Sequence, residues 1–115
     1  MRPWRVATTD RADGPRWFGV RCLFRHGGGL YEERITLWRA RDFEHAIELA
    51  EAEAARYCED LGDAQYVELA QAYELDDDPA AQGAEVFSLM RDSELSPSTY
   101  IDRFFETGEE HADTL

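Results

Sequence analysis

The chain predicts an α+β two-layer domain ordered ββαββα: a four-stranded, mostly antiparallel sheet, one long amphipathic helix and a short C-terminal helix. Three observations lead there. Apolar residues alternate at period two in WFGVRCLFR and in YEERITLWRA, the period of half-buried strands. Beyond Ala40 the period becomes helical, with Phe43, Ile47, Ala50, Ala54, Cys58 and Leu61 on one stripe and Glu44, Glu48, Glu51 and Glu59 opposite. YVELAQAYEL and AEVFSLMRD then supply two more strand-like runs, separated by the acidic loop DDDPAAQG.

Residues 1–15 carry Arg, Asp, Gly and two prolines without periodicity and are expected to form a flexible N-terminal arm. A single domain is expected over 16–108. In its first strand Phe18, Val20, Cys22 and Phe24 share one face; in the second Tyr31, Ile35 and Leu37 do. The run HGGG joins them, since glycines permit the positive φ of a tight hairpin. If both apolar faces are to be buried together, the loop is four residues, His26 to Gly29. That register sets Phe18 opposite Leu37, Val20 opposite Ile35 and Phe24 opposite Tyr31. The glycine run leads into a strand, not a helix start, and no G-x-S-x-G occurs, so neither a phosphate cradle nor an oxyanion loop is indicated.

Asp42 suits the N-cap or first turn of the helix, and Gly62 its C-terminal cap. Val67, Leu69, Tyr73 and Leu75 mark one face of the third strand. AEVFSLMRD, apolar on both faces, predicts a central fourth strand. Ser96-Pro97 reads as a cap followed by proline at the first helical position, opening a short helix that ends near Thr107-Gly108. The acidic tail 109–115 is expected to be flexible.

With 115 residues, 43% of them apolar, there is material for one core and no second domain. No run of about 18 apolar residues exists, and the N-terminus lacks the apolar stretch of a signal peptide, so a cytoplasmic location without membrane insertion is expected. Cys22 and Cys58 lack metal-type spacing and read as reduced, packed thiols.

Charge is unevenly distributed. All twelve basic residues are arginine and lysine is absent, which a GC-rich genome explains. Residues 1–41 hold nine arginines against four acids, a net +5; residues 42–115 hold three against 21, a net −18. The overall −13 disfavours nucleic acid and anionic membranes, and any anion-binding face must come from the first third.

No nucleophile stands in pattern with a base, so an enzyme is not expected, and neither a cofactor nor a metal is expected. His45 and Glu48 share a helix edge without a third ligand. Asp76, Asp77 and Asp78 suggest calcium, but the EF-hand pattern fails at Ala81 and Phe87. The glutamate row of the helix allows mimicry of a nucleic-acid backbone, although a solvated helix has the same composition.

The outer face of the hairpin is less ordinary. In the four-residue-loop register Trp17 faces Trp38 and Arg21 faces Arg34. Like charges directly opposite on a sheet need an acid nearby, and tryptophan with arginine is the composition of interface hot spots. Trp17, Arg21, Arg34 and Trp38 are therefore the candidate partner-binding residues. The competing expectation is internal: the YIDRFF segment closes over this face and brings Asp102 or Glu106 to the arginines.

The blocks YEERITLWRA, FEHAIELAEAEAARY, AYEL, EVFSLMRDSEL and YIDRFFETGEE, over about residues 17–110, resemble those of a family of small bacterial proteins known only as a domain of unknown function. The resemblance implies a compact α+β domain and brings no activity, cofactor or catalytic residue. The expectation for function is a small acidic protein-interaction module, a homodimer or the inhibitor- or immunity-type partner of another protein. The alternative is a binder of a small anionic or aromatic ligand.

Overall fold

The computed structural model describes residues 15–105. The arm expected over 1–15 and the acidic tail lie almost wholly outside the described residues, and the C-terminal helix ends at Phe104, short of the expected Thr107-Gly108, where Phe105 turns extended. Strands β1 (Arg16–His26) and β2 (Leu30–Ala40) form the hairpin; α1 (Phe43–Leu61), β3 (Gln65–Glu74) and α2 (Pro97–Phe104) follow. The sheet is antiparallel and three-stranded, in the order β2-β1-β3. Helix α1 thus carries the chain across the hairpin and returns it to the free edge of β1.

One layer of helix covers one face of the sheet. Phe18, Val20, Cys22 and Phe24 of β1, with Ala70 and Ala72 of β3, meet Ala46, Ala50 and Ala54 of α1. Small helix residues let the backbone of α1 come close, so most of the buried volume belongs to β1, whose Phe18, Phe24 and Val20 are the largest fully buried side chains. Both caps of α1 are as read from sequence. Asp42 accepts from the His45 backbone N–H at 2.8 Å, and Gly62, at φ 88°, donates its N–H to the Cys58 carbonyl at 2.9 Å.

The register of the hairpin differs from the expected one by one residue. The loop is Gly27–Gly29, with Gly28 and Gly29 at φ 86° and 80° and the Gly29 N–H donating to the His26 carbonyl. His26 pairs with Leu30, Phe18 with Trp38, Val20 with Thr36, Cys22 with Arg34 and Phe24 with Glu32. A slip of one residue exchanges the two faces of a strand. Glu32, Arg34, Thr36 and Trp38 therefore point toward α1, while Tyr31, Ile35 and Leu37 point away from it. The assumption that both strands bury their apolar faces on one side fails because polar residues of β2 find partners on the helix.

No fourth strand forms over 84–92. After β3 the chain turns at Asp78, whose carboxylate accepts from the Ala80 N–H at 2.9 Å, and comes back over the end of the sheet. There the Tyr73 hydroxyl donates to the Val86 carbonyl at 2.5 Å, and the Phe87 ring meets Tyr73 edge-on at 5.6 Å. Tyr73 projects from the flat of the sheet, so the bond it makes draws the segment over a face and away from either edge.

Candidate functional site

Among the described residues, strand alternation, a β1-centred sheet and a single covering helix leave one face of the sheet without a second layer of helix or strand. Across β1 and β2 that outer face pairs Trp17 with Arg39, Gly19 with Leu37, Arg21 with Ile35 and Arg25 with Tyr31. β3 adds Tyr73 beside Gly19 and Gln71 beside Arg21. Ile35 is 42% exposed and Leu37 40%, whereas Glu32, Arg34 and Thr36 on the helix side of the same strand are half-buried. Exposed apolar residues thus sit on the outer face of β2 among the exposed Glu33 and Arg39. A contiguous exposed apolar set rimmed by charges is the composition of an interaction surface.

The four residues singled out from sequence do not share this face. Trp17 and Arg21 lie on it. Arg21 donates to Gln71 Oε1 at 2.8 Å and reaches Glu33 Oε1 at 3.2 Å, so its neighbouring acid comes from β2. Arg34 and Trp38 lie on the helix side. Trp38 packs against the core and donates its indole N–H to Thr36 Oγ1 at 2.6 Å. The Arg21–Arg34 juxtaposition does not arise, because the one-residue slip puts a whole sheet between the two guanidinium groups.

On the helix side Arg34 joins β2 to α1. Its Nη1 and Nη2 donate to Glu53 Oε1 and Oε2 at 2.7 and 3.0 Å, and its guanidinium lies 3.9 Å from the Tyr57 ring centre. The Tyr57 hydroxyl donates to the Glu32 carboxylate at 2.8 Å, and His26 Nε2 lies 2.9 Å from the same group. The hydrogen bonds from Arg34 hold Glu53 below the ordinary carboxylate range, and Glu53 raises Arg34 in return. Burial alone would raise Glu32; the hydrogen bonds of His26 and Tyr57 and the charge of Arg34 bring it below its ordinary value. Burial also pushes the Cys22 thiol and the Tyr66 hydroxyl upward, and Tyr66 donates to Glu51 Oε2 at 2.5 Å. These are packing roles, and the thiol of Cys22 is held protonated.

The first expected outcome follows. Arg34→Met should lose roughly 2 kcal/mol of stability at neutral pH through the charged hydrogen bonds it removes. Because Glu53 is depressed in the folded state, its contribution is present above the unfolded carboxylate pKa and is lost as pH falls through the folded one. Urea unfolding of wild type and variant should therefore converge on acidification; a gap constant with pH would refute the Arg34–Glu53 account. Association should be untouched.

The remaining sequence candidates have local partners. His45 Nδ1 accepts the Arg41 N–H at 3.1 Å, an extension of the helix cap. Among the described residues no three His, Cys, Asp or Glu side chains gather as a metal set, and no helix is long and apolar enough to cross a membrane. A cleft of 330 Å³ lies where the returning segment crosses the end of β3, lined by Tyr73, Glu74, Leu75 and residues 85–90.

Helix α2 opens with the expected cap, Ser96 Oγ accepting from the Thr99 N–H at 3.3 Å. It packs on neither α1 nor any strand. The expected closure of YIDRFF over the hairpin within one chain is therefore not what the described residues form; only Val86 and Phe87 lie over the outer face, at its Tyr73 end. Sequence reasoning missed Leu37, Ile35 and Tyr31 as surface residues. The one available signal was that the apolar set of β3, ending in Tyr73, called for a second apolar side of the sheet. Comparison of the chain with models of known protein families, with curated proteins and with solved structures finds no match.

Proposed function

We propose that this protein is a small interaction module whose working surface is the outer sheet face, with Ile35 and Leu37 at its centre and Trp17 and Arg21 beside them. One observation carries the reading: on β2, Tyr31, Ile35 and Leu37 are exposed to solvent while Glu32 and Arg34 are engaged with Tyr57 and Glu53 of α1. Apolar side chains that serve only the fold gain nothing from exposure, since burial stabilises by about 25 cal/mol per Å². A polypeptide partner would cover them and leave the arginines at the rim, the ordinary arrangement of a protein interface.

A second reading has weaker support. The cleft beside Tyr73 has an aromatic wall, Tyr73 with Phe87, suited to a flat aromatic molecule. Glu74 and Glu85 line it as well and would repel an anion.

The double variant Ile35→Asp/Leu37→Asp tests the first reading. Its unfolding free energy should stay within about 0.5 kcal/mol of wild type, as for substitutions away from the core. Association with its own copies, followed by light scattering, or with other chains, followed by comparative capture from a native lysate, should be lost. Equal association by variant and wild type would reject the outer face as the working surface.

A further inference from the structure

The chain carries a second uncovered apolar surface. Residues 88–105 form an arm that is ordered by its own contacts: Arg91 Nη1 donates to the Tyr100 hydroxyl at 2.8 Å, the Arg91 guanidinium lies 3.9 Å from the Phe104 ring centre, and Tyr100 stacks against Phe104 at 4.7 Å. Yet the arm leaves Met90 93%, Ile101 54% and Phe105 57% exposed. An amphipathic helix that short gains its stability from packing its apolar side, and among the described residues α2 packs on no other helix or strand.

The two uncovered surfaces are matched in charge as well as in polarity. Among the described residues, β1 and β2 place Arg21, Arg25 and Arg39 against Glu33 on the outer face, a net +2; the arm, residues 88–105, holds Asp92, Glu94 and Asp102 against Arg91 and Arg103, a net −1. Stacking two outer faces directly would set like charge on like. Placing an arm on a face joins opposite charges and covers both apolar sets at once.

We propose that α2 and the residues leading to it dock on the outer sheet face of a second copy, whose own arm docks back in return. The result is a two-fold dimer built from two identical arm–face contacts, the closed and self-complementary form common among homo-oligomers. The inference rests on the outer face being an interface and names its occupant. The Tyr73 hydroxyl bond to Val86 and the Phe87 ring contact fix where the arm leaves its own body. The remaining apolar residues, from Leu89 to Phe105, are those the partner's face receives.

The test uses full-length chains and native mass by light scattering across a concentration series. Wild type should reach twice the 13.2 kDa monomer mass. Phe104→Asp/Phe105→Asp on the arm and Ile35→Asp/Leu37→Asp on the face should each raise the dissociation constant by roughly thirtyfold or more, the effect of removing an interface hot spot. Mixing the two variants should restore part of the dimer, because the intact arm of one fits the intact face of the other. A wild type that stays monomeric overturns the proposal. So does a dimer that the face variant disrupts and the arm variant does not, a result that keeps the face as an interface with another occupant. A dimer that neither variant weakens overturns both the proposal and the reading of the face beneath it.

Discussion

Replacing Phe24 with alanine should lose about 3–5 kcal/mol, the cost of removing a fully buried aromatic ring. Small domains have about 5–15 kcal/mol in total, so the variant should melt on the order of 15 °C lower or fail to fold at all. The expectation is at the upper end for a structural reason. Phe24 is one of the three largest fully buried side chains of the core, and the fully buried residues of the helix opposite are alanines. Alanines have no further atoms to move into a cavity. The rings that flank Phe24, Tyr57 at 5.1 Å and Tyr66 at 5.6 Å, are tied by their hydroxyls to Glu32 and Glu51 and cannot turn inward without breaking those bonds. Chemical unfolding followed by tryptophan fluorescence measures the loss. A cost below about 1.5 kcal/mol would mean that the site collapses freely and that the core is not organised around β1.

Gly19→Val should have the next largest effect. Gly19 stands opposite Tyr73 on the outer face, and a Cβ there would run into the Tyr73 ring. Tyr73 is itself buried, hydrogen-bonded to Val86 and packed on Phe87, so it can move aside only by releasing the segment that leads into the arm. Overpacking of this kind costs typically 1–3 kcal/mol, and the strand preference of valine offsets only part of it. The coupling gives a sharp check. In a Tyr73→Ala background the same substitution should be nearly neutral, since the double-mutant cycle isolates the ring contact. Limited proteolysis should meanwhile cut the Gly19→Val protein faster within residues 84–92 than wild type. Additive costs in the cycle would show that Gly19 is required for another reason.

Both effects depend on side-chain placements of unequal visibility in the sequence. Phe24 belongs to an unambiguous alternation, and its burial is read directly from WFGVRCLFR. The contact of Gly19 with Tyr73 joins residues 54 positions apart, and no local pattern reports it. The candidate site divides in the same way. Trp17 and Arg21 were placed on the outer face and are there; Arg34 and Trp38 are on the other side. The error traces to one residue of loop length at His26, which belongs to β1 when three glycines close the turn and to the loop when four residues do. AEVFSLMRD has the composition of a central strand, and only the capture of Val86 by Tyr73 keeps it from either edge of the sheet.

What the sequence by itself determined is what depends on contacts within a few residues. The two strands of the hairpin follow from their period of two around a glycine turn, and helix α1 with Asp42 and Gly62 at its ends and the Ser96-Pro97 start of α2 follow from period and capping, because hydrogen bonds at i+3 and i+4 decide the helices. Only the tertiary structure decided which face of β2 meets the helix, since Arg34 with Glu53 and Glu32 with Tyr57 are more favourable partners across the layers than water. That choice turned Tyr31, Ile35 and Leu37 outward and made a surface out of residues whose local pattern reads as core. The difference is physical: a period records which residues share a face, and long-range pairing decides where that face points.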